Sequence, residues 1–152
     1  KMDSFNGLTG VLKKIICYKR IDYKKIYKMI DEYKKEEKKL VNAIIEGIQD
    51  RKGKSIVHVD MSAIEDATTR GFVICTGTST MQVSAIADSV RDYLLENENI
   101  KPYNYDGYRN SQWIVLDYGT IYVHIFLKEF RDLYNLEALW SDAVITEIPD
   151  LD

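Results

Sequence analysis

From Leu40 onward, apolar positions along the chain switch between a helical and a strand-like rhythm. Leu40, Val41, Ile44, Ile45 and Ile48 fall on one helical stripe, which predicts an amphipathic helix that continues the one begun in the preceding Lys/Glu run. Gly53 is placed to stop it, as glycine commonly does just past a helix. Ile56 to Asp60 reads as a strand and residues 61–70 as a polar loop. The run Gly71-Phe72-Val73-Ile74-Cys75 carries the signature of a central strand. Thr76-Gly77-Thr78-Ser79-Thr80 then opens into a helix over 80–96, lined on one side by Val83, Ile86, Ala87, Val90, Leu94 and Leu95. Thr78 or Ser79 is its natural N-cap.

A short strand is expected near Tyr103–Tyr105, with a turn at Gly107. Trp113–Asp117 and Ile121–Phe126 read as antiparallel partners across the tight turn Tyr118-Gly119-Thr120. A last helix is predicted over Lys128–Trp140 from Phe130, Leu133, Tyr134 and Leu136. The order helix, strand, strand, helix, strand, strand, strand, helix predicts an α/β fold, a mixed sheet with flanking helices.

Residues 1–39 have a different character. Val11, Leu12, Ile15 and Ile16 suit a short helical stripe, and Ile26, Tyr27, Ile30 and Tyr33 repeat it. This basic N-terminal extension reads first as a peripheral, solvated helix, because charge runs are usually solvated faces. An arm for RNA or an anionic membrane is the alternative. The compact domain is expected over residues 40–145, and residues 146–152 are read as a C-terminal tail.

Composition narrows the classes. At 152 residues, 45% apolar and 30% charged, the chain suits one folded domain. No apolar run approaches the ~18–20 residues of a membrane helix. Lys13 and Lys14 interrupt the only early apolar stretch, so no secretory signal is expected. Cys17 and Cys75 cannot form a disulfide framework, which suits a reducing, cytoplasmic compartment. The net charge of −3 hides an asymmetry: residues 1–39 carry 12 Lys/Arg against 6 Asp/Glu, and residues 40–152 carry 9 against 18. An acidic body repels phosphate backbones and suits a basic protein partner.

Little in the chain points to catalysis. The Gly77-Thr78-Ser79 turn precedes a helix, where backbone N–H groups favour anions, but it has one glycine and no lysine. It resembles the Gly-Ser start of the nucleotidyltransferase superfamily, but the next acid is Asp88 on a helix, and the carboxylate pair for two metal ions is missing. His58 and His124 sit inside strands with no nucleophile nearby in sequence, and read as structural histidines. Cys75 reads as an inert core thiol. Two His and two Cys, far apart, offer no zinc-ligand spacing. No metal, no cofactor and no enzyme activity are expected. Trp113, Tyr118, Tyr122, Tyr134 and Trp140 cluster in the last third, and Trp and Tyr are the usual anchors of protein interfaces.

Four segments together carry a family resemblance. LVNAIIEGIQDRKGKSIVHVDMS (Leu40–Ser62), FVICTGTSTMQVSAIADSV (Phe72–Val90), WIVLDYGTIYVHIF (Trp113–Phe126) and RDLYNLEALWSDA (Arg131–Ala143) resemble, in order, the ribosomal silencing factor family, also called RsfS or Iojap-like. Residues 1–39 have no counterpart in it. The resemblance implies a nucleotidyltransferase-like fold without catalysis. It implies binding to the large ribosomal subunit through ribosomal protein L-fourteen, which blocks joining of the small subunit when nutrients are short. Plant and mitochondrial relatives act in organelle ribosome assembly, so an assembly factor, or a nucleotide-binding enzyme using the GTST turn, is the alternative. Family members also look like dimers when free, so a homodimer is expected; membrane and direct DNA binding are not.

The partner-binding residues are expected on the hairpin and the closing segment: Trp113, Asp117, Tyr118, Gly119, Arg131, Tyr134, Leu136, Glu137 and Trp140. Trp113, Val115 and Asp117 share one strand face by period-two alternation. Trp113 and Tyr118 would be the anchors, and Asp117 would pair with a Lys or Arg of the partner. Gly119 can also be read as a turn requirement, and Leu136 and Trp140 as core closure. Trp113→Ala is expected to weaken binding while leaving the melting temperature unchanged.

Overall fold

The computed structural model describes residues 22–151 together with Gly10 and Lys14. The stripe expected at Val11, Leu12, Ile15 and Ile16, and Cys17, lie outside the described residues. The chain divides into two compact units, Lys1–Lys39 and Leu40–Asp152. Helix α1 (Tyr23–Asp50) runs through the Lys/Glu run as one element. In the first unit its lysines are exposed, and Lys35 pairs with Asp31 one turn away at 2.9 Å.

Within the second unit, α1 turns Val41, Ala43, Ile44, Gly47 and Ile48 inward. The helix closes by a double hydrogen-bond cap: Gly53 N–H donates to the Ile48 carbonyl at 3.0 Å and Lys52 N–H to that of Gln49 at 2.9 Å. The left-handed residue is Lys52, at φ 58°, not Gly53. Glycine at 53 has another cause: a Cβ there would collide with Ile48 Cγ2 and press on Ile86.

Six strands follow: β1 (Lys54–Asp60), β2 (Gly71–Gly77), β3 (Asn104–Asp106), β4 (Trp113–Asp117), β5 (Ile121–Leu127) and β6 (Val144–Ile148). The sheet order is β3-β4-β5-β2-β1-β6. Only the β2–β5 pair is parallel, so the predicted central strand does sit between its neighbours in a mixed α/β sheet. Helix α2 (Thr80–Glu98) crosses one face, capped by Ser79, whose side chain accepts from Gln82 N–H. Its approach to α1 is close. A Cβ on Gly47 would lie 2.9 Å from Val90 Cα, and Ser89 Oγ donates to the Gly47 carbonyl at 2.7 Å.

The helix-side core is aliphatic. Ile56, Val73, Ile114, Leu116, Ile121, Val123 and Ile125 from the sheet meet Ile44, Ile48, Val83, Ile86, Val90 and Leu94 from α1 and α2. The opposite face holds a smaller cluster of Val57, Val59, Met61, Ile74 and Phe126, with Phe72, Trp113, Phe130, Leu136 and Trp140 packed against it.

Two expectations change. The closing helix is two short pieces, α3 (Lys128–Tyr134) and α4 (Leu136–Leu139), because Asn135 adopts a left-handed conformation at φ 44°. Residues 146–148, expected in the tail, complete β6 (Val144–Ile148), which lies antiparallel to β1. Strand β3 pairs with β4 and covers the outer side of the Trp113 hairpin.

Candidate partner-docking face

The β4–β5 hairpin is shaped by its own turn. Asp117 Oδ1 accepts from Gly119 N–H at 2.7 Å, and Tyr118 N–H donates to the Ile121 carbonyl at 3.0 Å. Gly119 sits at φ 84°, and a Cβ there would lie 2.9 Å from the Tyr103 ring. Gly119 is therefore a turn requirement. Asp117 has one carboxylate oxygen engaged in the turn.

Tyr118 departs from its expected role as an anchor. Its side chain points into the helix-side core and is 5% exposed. Burial pushes its phenol pKa well above the ordinary value. It holds the hairpin to the helices.

Arg131 and Glu137 form a clamp. Arg131 donates through Nε (3.2 Å) and Nη2 (2.7 Å) to Glu137 Oε1, and through Nη1 to the Ser55 carbonyl at 2.6 Å and Thr76 Oγ1 at 2.8 Å. A continuous helix would not bring residues six apart together. The break at Asn135 does, and the clamp ties α3 and α4 to β1 and β2. Both residues act on the fold.

The other expected residues come together on the face away from α1 and α2. Trp113 stacks on Phe126 (centroids 4.9 Å, 22° between planes) and meets the Tyr134 ring at a tilt of 42° (4.7 Å). Its Nε1–H donates to His124 Nδ1 at 3.0 Å, which fixes the neutral His124 with its proton on Nε2. Burial lowers the His124 pKa to about 4. Phe72 meets His124 edge-on at 5.1 Å and lies 6.2 Å from Trp140. Leu136 and Trp140 pack on this cluster. The strip ends in open surface at Tyr134, 47% exposed. Beside Trp113 a groove of about 290 Å³ is lined by Arg109, Asn110, Gln112, Phe130 and Tyr134 among others.

Trp113, Tyr134, Leu136 and Trp140 thus share one face, with Asp117 farther along the same strand face; Tyr118 faces the other side. Phe72, Phe126 and Phe130 also belong to this face and were not among the expected contacts. The alternation of Tyr122, His124 and Phe126 was their signal. It marks an aromatic sheet face that helices do not fully cover.

The GTST turn is occupied from within. Gln82 Oε1 accepts from Thr78 N–H at 2.7 Å and Thr78 Oγ1 at 2.8 Å, while Gln82 Nε2 reaches the Arg51 and Lys52 carbonyls. Gly77 is required by packing, since a Cβ would lie 2.9 Å from Val83 Cγ2. Cys75 is fully buried, its thiol pKa pushed up to about 12. Among the described residues no group of three or more His, Cys, Asp or Glu could hold a metal ion, and no helix is long and apolar enough to cross a membrane.

Fold and face define a class: a mixed-sheet α/β domain with one sealed aliphatic face and one partly open aromatic face. Residues 34–152 match the family described as "RsfS: Ribosomal silencing factor during starvation". The "Ribosomal silencing factor RsfS" of Halalkalibacterium halodurans is 33% identical over 109 residues, covering 72% of this chain and 92% of that protein. That of Haemophilus influenzae is 36% identical over 102 residues, covering 67% and 98%. A solved Chromobacterium violaceum structure superposes with a TM-score of 0.65 at 33% identity, covering 68% of this chain and 85% of the other. The chain belongs to the ribosomal silencing factor family.

Proposed function

We propose that this chain silences translation by binding the large ribosomal subunit, at ribosomal protein L-fourteen, so that the small subunit cannot join, and that it does so in the cytoplasm during nutrient limitation. The observation that carries the reading is the Trp113–Tyr134 ring contact, centroids 4.7 Å apart, through which a largely buried aromatic cluster reaches the half-exposed Tyr134. Partly buried aromatics backed by a rigid scaffold are the usual anchors of protein interfaces. Family membership supports the ribosome as partner. The acidic balance of residues 40–152, 18 Asp/Glu against 9 Lys/Arg, suits a basic ribosomal protein and would speed encounter at low salt.

Such a silencer acts by occupancy and needs no catalytic group. In the alternative reading, the GTST turn cradles a phosphate. The engagement of Gln82 with Thr78 disfavours it, because the side chain already uses the donors a phosphate would take. In the free protein the same aromatic face can pair two copies, which would have to separate on the ribosome.

Co-sedimentation with separated subunits tests the reading. Binding to the large subunit alone, with slowed subunit joining, is expected. Binding to neither subunit, or to the small subunit only, contradicts it.

A further inference from the structure

Strand β6 leaves a free backbone edge, and ladder geometry assigns which groups it offers. Gly71 N–H donates toward β5, to the Thr120 carbonyl at 3.3 Å, while Met61 N–H donates to the Arg70 carbonyl at 2.9 Å. Backbone groups of successive strand residues point to opposite edges. With the pairing Val59↔Phe72 and Val57↔Ile74, Val57 and Val59 therefore bond β2, and His58 and Asp60 bond β6. Their partners Thr146 and Val144 turn inward. Ile145 and Glu147 present their N–H and C=O groups to the outside, where no strand among the described residues pairs with them.

This edge is lightly protected: Glu147 is its one charge, and Pro149 follows just past its end. It has no lysine, proline or bulge within Val144–Ile148, devices that normally block strand addition. Val144 and Ile145 are 61% and 42% exposed. The strand is anchored beyond its end, where Asp150 Oδ1 accepts from Ser55 N–H at 2.8 Å and Lys54 Nζ donates to the Leu151 carbonyl at 2.7 Å. An incoming strand would meet a fixed template and need not order the edge first.

We propose that β6 takes an extended, basic peptide segment of a protein partner as a seventh strand. Backbone bonds to Ile145 and Glu147 would supply register, Val144 and Ile145 apolar contact, and the carboxylates of Asp142, Glu147 and Asp150 the charge preference. A second copy of this chain is the poorer occupant, because it would set the same carboxylates against themselves. The edge is separate from the Trp113–Tyr134 contact, so the proposal stands or falls apart from ribosome binding.

The test uses the full chain and amide hydrogen exchange, with a capped peptide alternating lysine and valine as probe. The Ile145 and Glu147 amides should slow by about tenfold or more with this peptide, and much less with its glutamate–valine counterpart. Glu147→Lys should weaken the lysine peptide by about three- to fivefold, the size of one exposed charge pair. Ile145→Pro removes an outward donor without taking a bond from β1, and should abolish the slowing at Glu147. If that variant does not fold, Glu147→Lys and the unmodified chain still decide. No slowing at either amide under a large peptide excess overturns the proposal. So does equal binding of the glutamate peptide, or slowing that grows with protein concentration alone, which would make the occupant a second copy.

Discussion

The two faces of the sheet are built from the same strands by opposite chemistry. On β5, Ile121, Val123 and Ile125 face α1 and α2 and are wholly buried, while Tyr122, His124 and Phe126 face the other way. The first face is aliphatic, and two helices seal it. The second is aromatic, carries polar contacts such as that between Trp113 and His124, and is covered only in part by α3 and α4. Aliphatic burial on a closed face supplies stability in proportion to the area removed from water. Planar side chains on an open face retain area for a partner while their neighbours hold them rigid.

That contrast can be broken most severely from the closed side. Ile86 is wholly buried between helix and sheet, so Ile86→Ala should cost about 2–5 kcal/mol in denaturant unfolding, without directly altering the open face. Acid comes next. Folding lowers the His124 pKa from 6.5 to about 4, so the unfolded chain binds more protons between those values. The contribution is complete above pH 6.5 and is lost as pH falls toward 4, by about 3 kcal/mol. Unfolding curves across that window should show the slope, and His124→Phe should flatten it.

Trp113→Phe is a finer cut. It keeps an aromatic ring on Phe126 but removes the donor to His124 Nδ1, at a cost of about 1–3 kcal/mol for the stranded acceptor. The expectation that Trp113→Ala would leave the melting temperature unchanged must therefore be revised, since the indole packs on Phe126 and Tyr134 and bonds His124. Tyr134→Ala is the mildest for the fold. Its ring is 47% exposed, so stability should change by about 1 kcal/mol or less, while large-subunit affinity falls about tenfold or more.

Most elements were legible because burial imposes a period. The stripe from Leu40 to Ile48 and the alternation in β4 and β5 each record a face turned to the core. Carried one residue further, the same alternation places Tyr118 with Ile114 and Leu116 on the helix side, so its burial was readable. Strand β6 was not, because four of its five residues are exposed and its partner lies far upstream in sequence. The Arg131–Glu137 clamp was hidden for a related reason. It depends on one left-handed asparagine, whose only signal is a residue type that tolerates that conformation. Side chains that hold the fold and side chains that bind a partner share composition, and only their neighbours distinguish them.

The most direct test is the affinity of the large ribosomal subunit for Tyr134→Ala, measured beside the melting temperature. A native melting temperature with binding weakened about tenfold or more is the predicted result. Unchanged affinity in a folded variant would move the contact away from the aromatic face.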